Sequence, residues 1–289
     1  MNTRSNENRL GVNPDTPEEK GNGTANVPEP QTLKFITPTE FVELPSKGQF
    51  YSPEHPLHNQ EVIEIKHMTT QEEDILTSVA LLKKGIALDR MLESILVNKT
   101  INVDDLLIGD KNALIMAARA HGYGSLYETN VKCPDCTETQ DYSFKLDSLE
   151  VHSPSDEFMT KHNVKKTKAN TFLVPLPKTK YTIEIKFLTG NDEKRLERTQ
   201  EFKKKKNFVQ TTASDFLRLV IVSVNNIHEE GSLNEFINTL PALHGRYIRK
   251  VYDELMPSID MNHSFTCSAC SYEGALEVPL TADFFWPHS

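Results

Sequence analysis

Four cysteines constrain this chain more than any other feature, because they fall as two identical spacings, Cys133-Pro134-Asp135-Cys136 and Cys267-Ser268-Ala269-Cys270. Two residues between thiols allow a tight turn that aims both sulfurs at one tetrahedral point, and two such turns complete a four-thiolate site. The quartet uses every cysteine in the sequence, so none is left for a nucleophile or a fifth ligand. A closed site of this kind is structural rather than catalytic. Ligand type, number and spacing favour zinc; a rubredoxin-like single iron is the main rival, since four thiolates also hold iron. A redox role is disfavoured, because nothing near either pair reads as a thioredoxin-like βαβ unit. Thr137 and Ser271 follow the two pairs where glycine is common, which weakens the expectation of backbone N–H donation to sulfur.

The chain is 289 residues long, too long for a zinc module alone, and its size suits one large or two smaller domains. A formal net charge of -9 disfavours nucleic acid and anionic membrane as partners, so DNA binding is not the first explanation of the cysteines. No apolar run approaches the length of a membrane span, and Met1 to Gln31 has no signal-peptide core. These features predict a soluble protein in a reducing compartment, where paired thiols favour metal over disulfide. Residues 1–31 hold almost nothing that could be buried and read as a disordered arm, either a solvated tail or a segment that orders against a partner.

An internal duplication is the second feature. The string IEIK occupies residues 63–66 and again 183–186, an offset of 120, each time closing a period-two apolar pattern that reads as a strand. Leu44-Pro45-Ser46-Lys47-Gly48 precedes the first and Leu176-Pro177-Lys178 the second. Thr69 or Thr189 follows, with an acidic cluster that opens a helix. In the first copy Thr70 and Glu73 have capping-box spacing, and the helix is expected to close at Leu81-Leu82-Lys83-Lys84-Gly85. A second helix carries the stripe Leu88, Met91, Leu92, Ile95, Leu96, with Phe216–Val224 as its counterpart. A third is expected from Asp110 as N-cap to Gly122. In the second copy Ser232 with Glu235 should open a short helix, and another should span Ala242–Leu255 before Pro257.

Strands flank each cysteine pair: Tyr127–Lys132 and Asp141–Leu146 around the first, His263–Thr266 and Ala275–Leu280 around the second. Each pair therefore caps a β-hairpin, and the whole reads as a zinc ribbon split by the 130 residues from 137 to 266. The expected fold is α+β, with a first repeat over 32–150 and a second over 151–289, each donating one knuckle. Cross-linking a loop of this length constrains the unfolded chain by about 4 to 5 kcal/mol, and a metal link is of similar order at least.

Other motifs have plainer readings. Lys203–Lys206 ends a charged helix from Asp192, where cations suit the carbonyl end, and reads as a solvated terminus. The ten histidines lack ligand spacing, and no phosphate loop, dinucleotide fingerprint or nucleophile elbow is present, so no enzyme activity is expected. Phe284, Phe285 and Trp286 either fold back on the core or form an anchor for a neighbouring subunit.

The succession LPSKGQFY at 44–51, IEIKHMTTQEEDIL at 63–76, LLKKG at 81–85, LLIGDKNALIMAARAHGYG at 106–124 and YETNVKCPDC at 127–136 resembles the baseplate proteins of T-even-like (T4-like) tailed bacteriophages. Residues 40–146 carry most of the resemblance, with the second cysteine pair and the repeat extending it. It implies a hub or hub-assembly protein of the contractile-tail baseplate, acting in the infected host cytoplasm during tail assembly and then either retained in the virion tail baseplate or released, with other hub and tape-measure proteins as partners. The competing expectation is a zinc-ribbon regulator of transcription, which needs nucleic-acid or polymerase binding. Lys132 is the lone cation beside either cysteine tip, which favours the assembly role.

Overall fold

Alternation of apolar and polar residues makes both IEIK segments strands, and each turns its isoleucines inward. The computed structural model describes residues 37–148, 150–206, 211–280 and 282–285. In it β1 (Thr39–Glu43) pairs antiparallel with β2 (Val62–Lys66), burying Val42, Ile63 and Ile65. The helix α1 (Thr70–Thr77) starts one residue earlier than the sequence pattern suggested. Thr69, extended at φ -119°, is the cap, and its N–H and Oγ1 donate to Glu72 Oε2 at 2.8 and 2.6 Å. Thr70 already has helical backbone, so the Thr70–Glu73 box does not form. The expected single helix to Lys84 also breaks, because Ser78 takes extended backbone at ψ 106° before α2 (Val79–Lys83).

The helix α3 (Ala87–Ile95) buries Met91, Leu92 and Ile95, as its stripe predicts. After a 3₁₀ turn at Val103–Asp105 comes α4 (Ile108–Tyr123), whose cap is Leu107 and not Asp110. Asp110 lies inside the first turn, fully buried, and its carboxylate accepts from Ser46 N at 3.0 Å, Ser46 Oγ at 2.5 Å and Tyr51 Oη at 2.7 Å. It thus anchors the Leu44–Gly48 turn instead of the helix end. The stop is Gly124, at φ +88°, with Gly122 inside the last turn.

The first hairpin is β3 (Leu126–Lys132) with β4 (Thr139–Lys145). Then come β5 (Val151–His152), α5 (Asp156–His162), β6 (Lys165–Lys166), β7 (Phe172–Pro175) and β8 (Thr182–Ile185). The helix α6 (Gly190–Lys205) has its own box, Thr189 with Asp192. Phe216–Val224 is only half helical: α7 (Thr212–Val220) gives way to β9 (Ile221–Val224). Its β-branched Ile221, Val222 and Val224 suit the strand that completes the antiparallel sheet β6-β7-β8-β9. In α8 (Glu230–Thr239) Ser232 and Glu235 lie within the helix and do not cap it, the cap position being Glu229. The expected helix α9 (Ala242–Leu255) forms, followed by β10 (Ser258–Ile259), which pairs with β5, and the second hairpin, β11 (Asn262–Thr266) with β12 (Glu273–Glu277).

One apolar core cluster runs from Val42 to Phe285 and draws on residues before and after 150. The main chain also joins the two stretches, with Ile108 N donating to Leu188 O at 3.1 Å and Gly190 N to Leu106 O at 3.0 Å. Gly109 permits the approach of α4 to β10, since a Cβ there would come within 1.9 Å of Pro257 O. Phe284 and Phe285 fold back into the core in a 3₁₀ turn (Ala282–Phe285), and Arg119 Nε, wholly buried, donates to Phe284 O at 2.8 Å. Trp286 and the expected arm 1–31 lie outside the described residues.

Candidate metal centre

Each hairpin ends in a knuckle of the same geometry. In the first, Cys133 N donates to Glu138 O at 2.9 Å and Thr137 N to Cys133 O at 3.0 Å; in the second, Cys267 N donates to Tyr272 O at 2.9 Å and Ser271 N to Cys267 O at 3.0 Å. Thr137 and Ser271 hold left-handed backbone at φ +62° and +58°, the conformation for which glycine is usually selected. Backbone donation to sulfur survives in both. Cys136 accepts from the Glu138 N–H and Cys270 from the Tyr272 N–H, while the N–H groups of Cys270 and Ala269 draw the Cys267 thiol down to about 7.

The four Sγ atoms lie within 4.8 Å of one another, with Cys133–Cys270 and Cys136–Cys267 each at 3.7 Å. A tetrahedron with metal–sulfur bonds of about 2.3 Å has sulfur–sulfur edges of about 3.8 Å. The quartet therefore fits one four-coordinate ion. Cys133 and Cys267 are buried and Cys136 and Cys270 exposed. Without a cation the thiols compete: the Tyr272 N–H favours a thiolate at Cys270, but desolvation and the other three sulfurs push it up to about 12. A divalent ion would let all four ionise together.

Beneath the sulfurs Phe265 is buried among Val131, Tyr142, Tyr272 and Leu276. The two hairpins form separate two-stranded sheets, joined here by side chains. Tyr142 Oη donates to Ser264 O at 2.7 Å, and Gln140 Oε1 accepts from Ser268 N at 2.9 Å and Ser268 Oγ at 3.0 Å. Sequence reasoning located all four cysteines and missed these two bridges. Their signal was the inward phase of Gln140 and Tyr142 on β4, legible only once the partner strand is known.

A second constellation was also missed. Asp89 on α3 accepts from Lys111 at 2.9 Å and Lys194 at 2.7 Å; Lys111 reaches Glu193 at 2.9 Å, and Lys194 pairs with Asp104. Asp89 is almost wholly buried; desolvation raises its pKa, but Lys194 and Lys111 outweigh this and hold it below the ordinary carboxylate range. The run at Lys203–Lys206 is exposed at Lys204, Lys205 and Lys206, whereas Lys203 turns in to Asp215 at 2.6 Å.

The model of the T4 bacteriophage base plate protein family matches residues 37–286. The chain belongs to that family. No curated protein and no solved structure gives a match. The baseplate-family match takes in both cysteine pairs, and so extends through the stretch after residue 150 where the sequence motifs were sparsest. Membership gives this baseplate protein a structural role in the phage tail, with other baseplate components as its partners.

Proposed function

We propose that this member of the baseplate family is a non-enzymatic hub or hub-assembly part, made of two duplicated halves clasped by one shared zinc ion. It works by binding neighbouring hub and tape-measure proteins, first in the infected cytoplasm and then in the tail. The observation that carries this reading is the approach, within 4.8 Å of one another, of four sulfurs from two hairpins far apart in sequence. Cys133, Cys136, Cys267 and Cys270 would hold the ion with no position open for substrate, so the metal supplies a cross-link rather than chemistry.

Recurring local structure supports the duplication. The boxes Thr69/Glu72 and Thr189/Asp192 stand 120 residues apart, like the strands before them. Each copy then returns to its IEIK strand in the same way, Leu96 bridging Ile65 and Ile221 pairing with Ile185. Both knuckles repeat hydrogen bond for hydrogen bond.

Metal analysis of purified protein should return one zinc per chain; iron in its place would correct the metal, and a soluble native preparation without metal would sink the clasp. Mass spectrometry of hub intermediates beside mature particles tests the assembly role, which is lost if the chain is present in neither.

A further inference from the structure

Two clefts beside the Leu44–Gly48 turn share Lys47 and Ser153. The first is walled by Pro45, Phe50, Met159 and Phe172 and presents Lys47 and Lys166. Lys166 Nζ donates to Gln49 O at 3.2 Å and sits 4.2 Å from the centre of the Phe50 ring. Burial against that wall lowers its pKa. Lys47 is fixed at its root: its backbone is left-handed at φ +48°, Lys47 N donates to Leu44 O at 2.9 Å, and the preceding Ser46 is tied to buried Asp110. Neither ammonium meets a carboxylate among the described residues, although Asp156 lines the same cleft and the chain as a whole is acidic.

The adjoining cleft also touches Lys47 and Ser153 but differs in the rest of its lining. Its aliphatic side chains Val62 and Val151 are 41% and 49% exposed, and its rim carries Glu43 and Glu61. The trough thus carries Lys166 at one end and Val62 and Val151 with an acidic rim at the other, with Lys47 lining both clefts between them. A ligand that is uniformly anionic suits the first half and is repelled by the second. A short chain with carboxylates at one end and aliphatic side chains at the other suits both.

We propose that this double cleft binds a short extended segment of a partner protein, its acidic end against Lys47 and Lys166 and its aliphatic end over Val62 and Val151. The Lys166 ammonium, already held by Gln49 O and the Phe50 ring and partly stripped of water, loses little freedom when a carboxylate arrives, and Lys47 reaches the same cleft from a turn whose backbone is fixed. Glu43 and Glu61 fix the direction by excluding acid from the aliphatic half. The proposal deepens the protein-binding reading by naming a surface and a partner chemistry.

The test uses full-length metal-loaded protein and a labelled peptide of two glutamates followed by three valines, with binding read by fluorescence anisotropy. Saturable binding is expected, weakened at least about tenfold by Lys166→Gln and by Lys47→Gln, since each removes a charge-assisted contact. Lys166→Arg should restore most of it, and Lys178→Gln, in the corresponding turn after residue 150, should change nothing. Thermal melts of the variants separate lost binding from lost folding. Absence of peptide binding, binding that survives both lysine changes, or stronger binding of a single-stranded oligonucleotide or inorganic phosphate would each overturn the proposal. Hub incorporation of the wild-type chain is scored separately, so a failed cleft and a failed assembly role give different results.

Discussion

The sulfur clasp and the Asp89 charge seam both tie residues before 150 to residues after it, yet they are built on opposite terms. The proposed clasp lies at hairpin tips, has two exposed cysteines, rests on one small aromatic cluster around Phe265, and would need an ion from outside. The seam is supplied wholly by the chain and lies beside the backbone links of Ile108 with Leu188 and Gly190 with Leu106. A metal cross-link acts chiefly by restricting the unfolded chain, whereas a buried ion pair acts inside the folded state, where a partner left alone is costly. On the proposed reading, the difference teaches that the hairpin tips depend in part on an ion that can be withdrawn, whereas the core depends only on groups the chain itself supplies. Withdrawing the ion should therefore loosen the hairpins while the common core keeps the two stretches together.

The largest effect should come from breaking the clasp. Chelation, Cys136→Ser and Cys270→Ser should each lower stability by about 4 kcal/mol, the scale of a long cross-link. The two substitutions should not add, because each destroys one shared site. Denaturant melts of the single and double variants check this, and additive losses would mean two independent sites.

Breaking the seam should cost somewhat less, about 3 kcal/mol for Asp89→Ala, which leaves Lys111 with Glu193 alone and Lys194 with Asp104 alone in a partly dry setting. Acid separates the two junctions. Asp89 has its folded pKa depressed, so its contribution is present above its unfolded value of about 3.9 and is lost as pH falls through the lower folded value. Thiolate ligands take up protons and release metal at higher pH than that. A descending titration should therefore show metal release first, read by a zinc indicator, and collapse of the core later, read by near-ultraviolet circular dichroism. Simultaneous transitions would show that the core depends on the clasp.

Between these extremes lie the two capping boxes, one on each side of residue 150. Thr69→Ala and Thr189→Ala should each cost about 1 kcal/mol, and similarly, as expected of equivalent caps. Glu72 also accepts from Ser94 Oγ at 2.5 Å and Asp192 from Lys186 Nζ at 2.8 Å, so removal of either acid should cost more than removal of its threonine.

These comparisons also show what sequence can carry. Cysteine spacing, strand phase, the α3 stripe and the proline that follows α9 are local or periodic, and they are legible. Where the reading failed, a distant residue decided. Asp110 has the look of an N-cap until Ser46 and Tyr51 arrive from more than fifty positions away. Ile221–Val224 continues an apolar helix pattern until β8 offers a strand to pair with. Thr137 and Ser271 lack the expected glycine, but the hairpin closes firmly enough to hold them at positive φ. The Asp89 seam is beyond sequence reading for the same reason, since its members come from three helices and a 3₁₀ turn.

The smallest effect is also the finest probe of the clasp. Gln140 spans the gap between hairpins, accepting from Ser268 N and Oγ while its Nε2 donates to Thr266 O at 3.4 Å. These bonds are exposed, so Gln140→Ala should cost about 0.5 to 1 kcal/mol with metal bound. If the bridge also positions the second knuckle, its loss must appear in metal affinity, because an unpaired hairpin has to be ordered when the ion binds. A competition titration should then show zinc held about threefold to fivefold more weakly, the same free energy expressed as an equilibrium constant. Unchanged affinity with lowered stability would make Gln140 a simple surface tie. Affinity lost without any change in the metal-free melt would make it part of the site, and would extend the clasp from four sulfurs to the strand that carries one of its knuckles.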